Sequence, residues 1–216
     1  MSIKWKISDD LVPYSKALNV MEKRVKQIIA KNTQEMVWLL EHPSIYTAGT
    51  SASNDELLQP PSLPVFKTGR GGKYTYHGPG QRVIYLMLNL KTRTVSGNPD
   101  LRLYVYNLEQ LIIETLAELS IKGERRQGRI GIWVSNEDGY EAKIAAVGIR
   151  IKKWVTYHGI AINVNPNLAH FIGIVPCGIK DFGITSIEKL GKHTSIKQLD
   201  LILKEKFNKI FGELHA

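Results

Sequence analysis

The chain has 216 residues, 43% of them hydrophobic and 23% charged, which is the composition of an ordinary soluble globular protein with enough chain to bury a core. Its 29 lysines and arginines outnumber 20 aspartates and glutamates, for a net charge of +9, and this favours an acidic partner: nucleic acid, an anionic membrane surface and an acidic protein all fit. The basic residues are spread out, with small clusters at "KGERRQGR" and "RIKK" and no polybasic arm, which weakens the nucleic-acid reading.

In chain order, "IKWKI" reads as a short strand. A helix follows from Asp9 or Asp10, with Leu11, Tyr14, Leu18, Met21, Val25 and Ile28 spaced three and four apart. "EMVWLLEHP" is a buried strand stopped by Pro43, and "SASNDELLQPPSLP" is a polar loop. The glycine-rich stretch "GRGGKYTYHGPGQ" should be a surface loop, yet it runs directly into the apolar strand "RVIYLMLNL". A second helix covers 101 to 120, with Tyr104, Leu108, Leu111, Ile112, Thr115 and Leu119 on one face and Gly123 as its stop. "GRIGIWV" is a strand and "SNEDGYEAK" a turn. "IAAVGIRIKKWVTYHGIAINVN" is two strands or one bent strand. "PNLAHFIGIVPCGIKDFGITS" is mostly loop. A last helix begins at Ser195, which pairs with Gln198 in a capping-box pattern, and it buries Ile196, Leu199, Leu203, Phe207 and Ile210. Strands and helices mix without regular alternation, so the fold class is α/β (α+β): a mixed β-sheet packed with helices, with residues 1–216 forming one domain.

The single cysteine, Cys177, rules out an intrachain disulfide and leans towards the cytosol. The N-terminal stretch lacks an apolar signal core, and no window approaches the roughly 18 consecutive apolar residues of a membrane span. Cys177 lies in "VPCGI", a tight irregular segment of the kind that holds reactive groups, whereas a structural cysteine is usually a buried hydrophobe within an element. A free thiol has a pKa near 8.5, so a nucleophilic Cys177 needs a neighbouring cation or base. Lys143 in "EAKIAAVG" is one candidate, read either as a snorkelling lysine or as a buried amine that takes the thiol proton. His77 and His158, each before a glycine, are rivals through the Cys–His pairing, and His42 resembles them; each also reads as a structural residue. No CxxC, HxH or HExxH spacing suggests a metal. Glycines at 69 to 80 let backbone N–H groups approach a ligand, and Arg70 and Lys73 add charge. The stretch matches neither the P-loop nor the dinucleotide fingerprint, and a ligand-free glycine-rich hairpin is the alternative.

"EHPSIYTAG", "RGGKYTYHGPGQ", "KIAAVGIRI", "YHGIAINVN" and "VPCGI…GITS", in that order over residues 35 to 188, resemble the lipoyl(octanoyl) transferase family. The resemblance implies the biotin/lipoate protein ligase-like fold around one acyl pocket, in a monomer. It implies transfer of an octanoyl or lipoyl group from the thioester of acyl carrier protein to a lysine of lipoyl domains, in 2-oxoacid dehydrogenase complexes and the glycine cleavage H protein. This would be the first step of endogenous lipoate synthesis, needing no ATP and no metal. Cys177 matches the cysteine that carries the acyl thioester, and Lys143 the lysine that activates it. Arg70, Gly71, Gly72, Lys73, Tyr74, Thr75, Tyr76 and His77 match the substrate-binding loop. Ala146, Val147 and Gly148 match one further pocket segment, and Gly159, Ile160 and Ala161 another. "VIYLMLNL" and "IAAVG" would supply apolar walls, and the glycine stretch a wall where side chains would block the acyl chain. The rivals are an ATP-dependent lipoate ligase on the same fold and a non-catalytic protein that binds acyl carrier protein or nucleic acid through its basic surface.

Overall fold

The computed structural model describes residues 3–58, 63–94, 97–136, 139–174 and 183–212. Its frame is a mixed sheet in the order β1-β2-β6-β10-β9-β8-β7, with β11 paired to β9. The strands are β1 (Lys4–Leu11), β2 (Met36–Glu41), β6 (Gln81–Met87), β7 (Glu124–Arg126), β8 (Arg129–Ser135), β9 (Glu141–Lys152), β10 (Val155–Asn163) and β11 (Gly183–Ile184). A second, three-stranded sheet, β4-β3-β5, is built from β3 (Ile45–Ala48), β4 (Val65–Lys67) and β5 (Tyr74–His77).

Alternation along the central strands sends side chains to two cores. Ile84, Leu86, Ile160 and Ile162 face α2 (Leu101–Ala117) and α3 (Ile196–Gly212); Val83, Tyr85, Tyr157 and Ala161 face α1 (Tyr14–Ile29). So only alternate residues of "VIYLMLNL" can wall a site on the α1 side. On α3, Asp200 accepts from Arg82 Nε at 2.8 Å and Nη2 at 2.5 Å, both side chains being buried, which ties the helix to the sheet.

Several expected boundaries shift, each for a local reason. The first helix starts at Tyr14, after Pro13, because β1 stays paired to β2 as far as Leu11↔Glu41. Ala17 is buried and Leu18 only half-buried. The second helix ends at Ala117, with Ser120 (φ 56) as its left-handed stop and Ile121 N–H returning to the Leu116 carbonyl at 3.0 Å. Gly123 does a different job: a Cβ there would lie 2.8 Å from Ile132 Cγ2 and 3.0 Å from Leu116 Cδ1. Gly123→Ala is therefore expected to cost about 1–3 kcal/mol through overpacking, read as a fall in the urea midpoint at unchanged slope. The last helix is capped by Ser195 Oγ, which accepts from Gln198 N–H at 3.1 Å; it buries Phe211 and Ile202, while Ile196 and Ile210 are only partly buried.

The stretch from Ile144 resolves into the hairpin β9–β10, whose two-residue turn holds Lys153 (φ 48) and Trp154 (φ 68). Such a turn needs positive φ at both positions and normally advertises itself with Asn-Gly, which is why the sequence did not reveal it. The "KGERRQGR" cluster is not an open basic patch. Arg125 pairs with Glu109 at 3.3 Å, Arg126 with Glu141 and with Glu124 at 2.9 Å, and Arg129 with Glu141 at 2.6 Å. Among the described residues no helix is long and apolar enough to cross a membrane.

Candidate active site

A cavity of about 380 Å³ lies between the α1 side of the large sheet and the loop that leads into β5. Arg70, Gly71, Gly72, Lys73, Tyr74, Thr75 and His77 line it, as do Ala146, Val147, Gly148, Gly159, Ile160, Ala161 and Lys143. Tyr76 does not. With period-2 alternation along β5, its ring packs away from the cavity against Tyr46 and Phe171, and its hydroxyl bonds Ser44 at 3.1 Å. The expected surface loop is thus partly a buried strand, since Tyr74–His77 pairs with β3.

The two cations of the glycine-rich loop work within the protein. Arg70 is 8% exposed, and its guanidinium donates to the carbonyls of Thr47 (2.7 Å), Gly71 (2.9 Å) and Lys73 (3.0 Å). Lys73 Nζ pairs with Glu56. Arg70 is therefore a staple that shapes the loop, and Gly72 supplies the positive φ (87) that lets the chain turn over it.

Lys143 reaches the cavity through a bulge. Opposite β8, Lys143 pairs with Trp133 and Ala145 with Ile132, so Ile144 is the extra residue. The bulge shifts the alternation, and odd-numbered Lys143 shares a face with even-numbered Ala146 and Gly148. Lys143 is 4% exposed; its Nζ donates to the Ile130 carbonyl at 3.1 Å and lies 4.7 Å from the centre of the Trp133 ring. That carbonyl is aimed by Gly131 (φ 110), whose N–H is held at 3.0 Å by Glu109 of α2. Cys177 lies outside the described residues, as do 175–182 as a whole. On the near side, Ile174 bridges to Leu57; on the far side, Gly183 and Ile184 pair with Ala142 and Lys143.

The three histidines are buried in one polar layer above the sheet. His42 Nδ1–H donates to the Val12 carbonyl (2.5 Å), so its Nε2 accepts from the Tyr85 hydroxyl (2.7 Å). His77 Nδ1–H donates to Gln81 Oε1 (2.6 Å), while Gln81 Nε2 donates to Asn163 Oδ1 (2.9 Å) and Asn163 Nδ2 to the Thr185 carbonyl (2.9 Å). His77 thus presents an unprotonated Nε2. His158 Nε2 shares a hydrogen bond with the Tyr14 hydroxyl (3.1 Å), and its buried Nδ1 has no partner. Burial holds the pKa of His42 down at about 4 and that of His158 at about 3. It also holds His77 well below the usual histidine value, with the nearby His42 ring and Arg70 adding to the effect. None is a cation at neutral pH, so none can supply positive charge to a thiolate. Among the described residues no group of three or more His, Cys, Asp or Glu is placed to hold a metal ion.

Tyr85 lines the cavity, as expected of the "VIYLMLNL" wall, whereas Tyr14 reads in the sequence only as a helix core position, and the packing of the fold turns it towards the site.

This fold is that of the biotin/lipoate ligase-like enzymes. A bipartite lipoate protein ligase from Thermoplasma acidophilum superposes with a TM-score of 0.71 over 98% of this chain and 85% of its own, at 11% identity. The biotin protein ligase of Aquifex aeolicus, in complex with biotin and ATP, gives 0.57 over 99% and 71%, at 18% identity. The profile of the lipoyl protein ligase A/B catalytic domain matches residues 13–208. Octanoyltransferases are far nearer in sequence: that of Bartonella tribocorum is 53% identical over 97% of this chain and 87% of its own length, and that of Wolbachia pipientis from Culex pipiens is 54% identical over 96% and 99%. The chain belongs to the octanoyltransferase family, and its activity is acyl transfer.

Proposed function

We propose that the chain moves an octanoyl group from the thioester of acyl carrier protein to a lysine of a lipoyl domain, by way of a thioester on Cys177. Lys143 takes the thiol proton. The observation that carries the assignment is Lys143 itself. It is a buried lysine brought by a bulge onto the cavity face, with its backbone paired to the strand that follows the cysteine segment. In the first step the thiolate attacks the donor carbonyl, the donor thiol leaves, and one thioester replaces another at little energetic cost. In the second, the acceptor amine attacks, an amide forms and the cysteine thiol is regenerated. The amide is more stable than the thioester, so this step drives the cycle without ATP or metal. The whole chain, residues 1–216, acts as one catalytic domain, supported by the continuous sheet that runs from β1 to β7. The acyl group lies along Ala146–Gly148 and Gly159–Ala161, under the Arg70–Gly72 loop.

The test is intact-protein mass spectrometry after mixing the purified chain with octanoyl-acyl carrier protein in the absence of ATP. One octanoyl adduct, removable by hydroxylamine and discharged by an apo lipoyl domain, is the expected result. Transfer that appears only with ATP and free octanoic or lipoic acid would assign the chain to ligase chemistry instead.

A further inference from the structure

Tyr14, Tyr85 and His158 also line the cavity, each no more than 3% exposed. Their distance from Lys143 can be read from the strand register. Lys143 shares a small void with Gln81 and Asn163, which are paired across β6 and β10. The next two rows facing the cavity are Val83–Ala161–Ala146 and Tyr85–Gly159–Gly148. From Asn163 to Gly159 is four residues, about 13 Å at ~3.3 Å per residue. An extended eight-carbon acyl chain spans about 9 Å, given ordinary C–C lengths and angles. The terminal methyl's own radius and the stand-off of the thioester carbonyl from Lys143 take up the rest. A tail anchored at Lys143 therefore ends at the row with glycine on both β9 and β10, directly before Tyr14 and His158.

We infer that Tyr14, braced by His158, is the stop that sets acyl length in this enzyme at about eight carbons; the inference rests on Lys143 marking the thioester end. The Tyr14 ring cannot swing aside. It is packed by Phe66 (centroids 5.4 Å apart) and His42 (5.5 Å), its hydroxyl is bonded to His158 Nε2 at 3.1 Å, and Pro13 fixes the chain just before it. His158 is held at φ 60, which costs a non-glycine residue backbone strain, and its Nδ1 is buried without a partner. Strain and an unsatisfied ring nitrogen retained together at a cavity wall are what a functional constraint leaves behind. They also make the stop sharp. A longer tail that displaced the Tyr14 hydroxyl would strand both nitrogens of His158.

The experiment measures kcat/KM for loading with C6 to C14 acyl thioesters of one carrier. Tyr14→Ala is expected to raise the C12-to-C8 ratio at least about tenfold over wild type, since misfit methylenes in a pocket discriminate on that scale. His158→Asn, which tolerates the left-handed backbone, should raise it less. Leu108→Ala, in the core on the opposite face of the sheet, serves as the destabilised control and should leave the ratio unchanged. If Tyr14→Ala does not fold, Tyr14→Leu is measured in its place. An unaltered ratio in the folded Tyr14 variant, or an equal rise in Leu108→Ala, overturns the stop. Failure of wild type to load C8 at all overturns the transfer reading beneath it, and is distinguishable because no chain length would then load.

Discussion

Lys143→Ala is expected to load octanoyl groups about 10²–10⁴ times more slowly than wild type, the usual cost of losing a general base. Cys177→Ser should carry no hydroxylamine-sensitive adduct at all. The first effect follows from the scarcity of alternatives among the described residues. A free thiol near pKa 8.5 is only a few per cent thiolate at neutral pH, and the histidines of the site are neutral acceptors with depressed pKa values. Lys143 is the buried basic side chain on the same cavity face as Ala146 and Gly148, held by a carbonyl whose direction Gly131 and Glu109 fix. The pH dependence separates proton transfer from mere packing. Without the lysine, the rate should climb about tenfold per pH unit until the unassisted thiol ionises near 8.5. Lys143→Arg keeps a long basic side chain of similar reach but cannot accept the proton, so it should stay slow. Rapid-quench mass spectrometry from pH 6 to 9 provides the readout. Loading by Lys143→Ala within threefold of wild type at pH 7 would remove the lysine from the mechanism.

The regular elements of this fold are written in hydrophobic periodicity, and they were legible. Helix α2, its face of Tyr104, Leu108, Leu111, Ile112 and Thr115, and the buried strands β2 and β6 all read correctly to within a few residues. Features that depend on a partner far along the chain did not read. β4 is three residues of a small sheet whose register is set by β3, and Tyr74–His77 looked like loop because glycines surround it. The bulge at Ile144 is invisible in a run of small apolar residues, yet it decides that Lys143 and Ala146 share a face. Motif resemblance marked a contiguous stretch from Arg70 to His77, but a strand alternates, so Tyr76 turns out of the cavity. Conversely, Tyr14 carries no local signal beyond helical spacing. It became a wall residue because α1 packs over the end of β10.

The histidine layer should make the fold unusually acid-sensitive, with stability falling steeply from about pH 6.5 towards pH 4.5. The sign follows from proton counts. The unfolded chain titrates its histidines near pH 6.5, whereas burial holds His42 at about 4, His158 at about 3 and His77 well below its usual value in the fold. Between those limits the unfolded state binds more protons, so stability is fully present above pH 6.5 and is lost as the pH falls. His42 alone contributes on the order of 3 kcal/mol across its window, and His77 and His158 add losses of the same sign. The window lies mostly above the range where unfolded carboxylates protonate, so it is not the generic acid transition. The Val12 carbonyl offsets the burial of His42, and the Gln81 side chain that of His77, only in part. Arg70 and Arg150 lie close enough to oppose a proton on His158, and the neighbouring Tyr14 and Tyr85 are held neutral by burial, Tyr14 with its pKa raised to about 12. Urea midpoints at half-unit steps from pH 7.5 to 4.5 measure the slope. His42→Asn retains a donor for the Val12 carbonyl but cannot titrate. It should start less stable and lose stability more slowly with acid, and a slope equal to that of wild type would show that His42 is not one of the groups responsible.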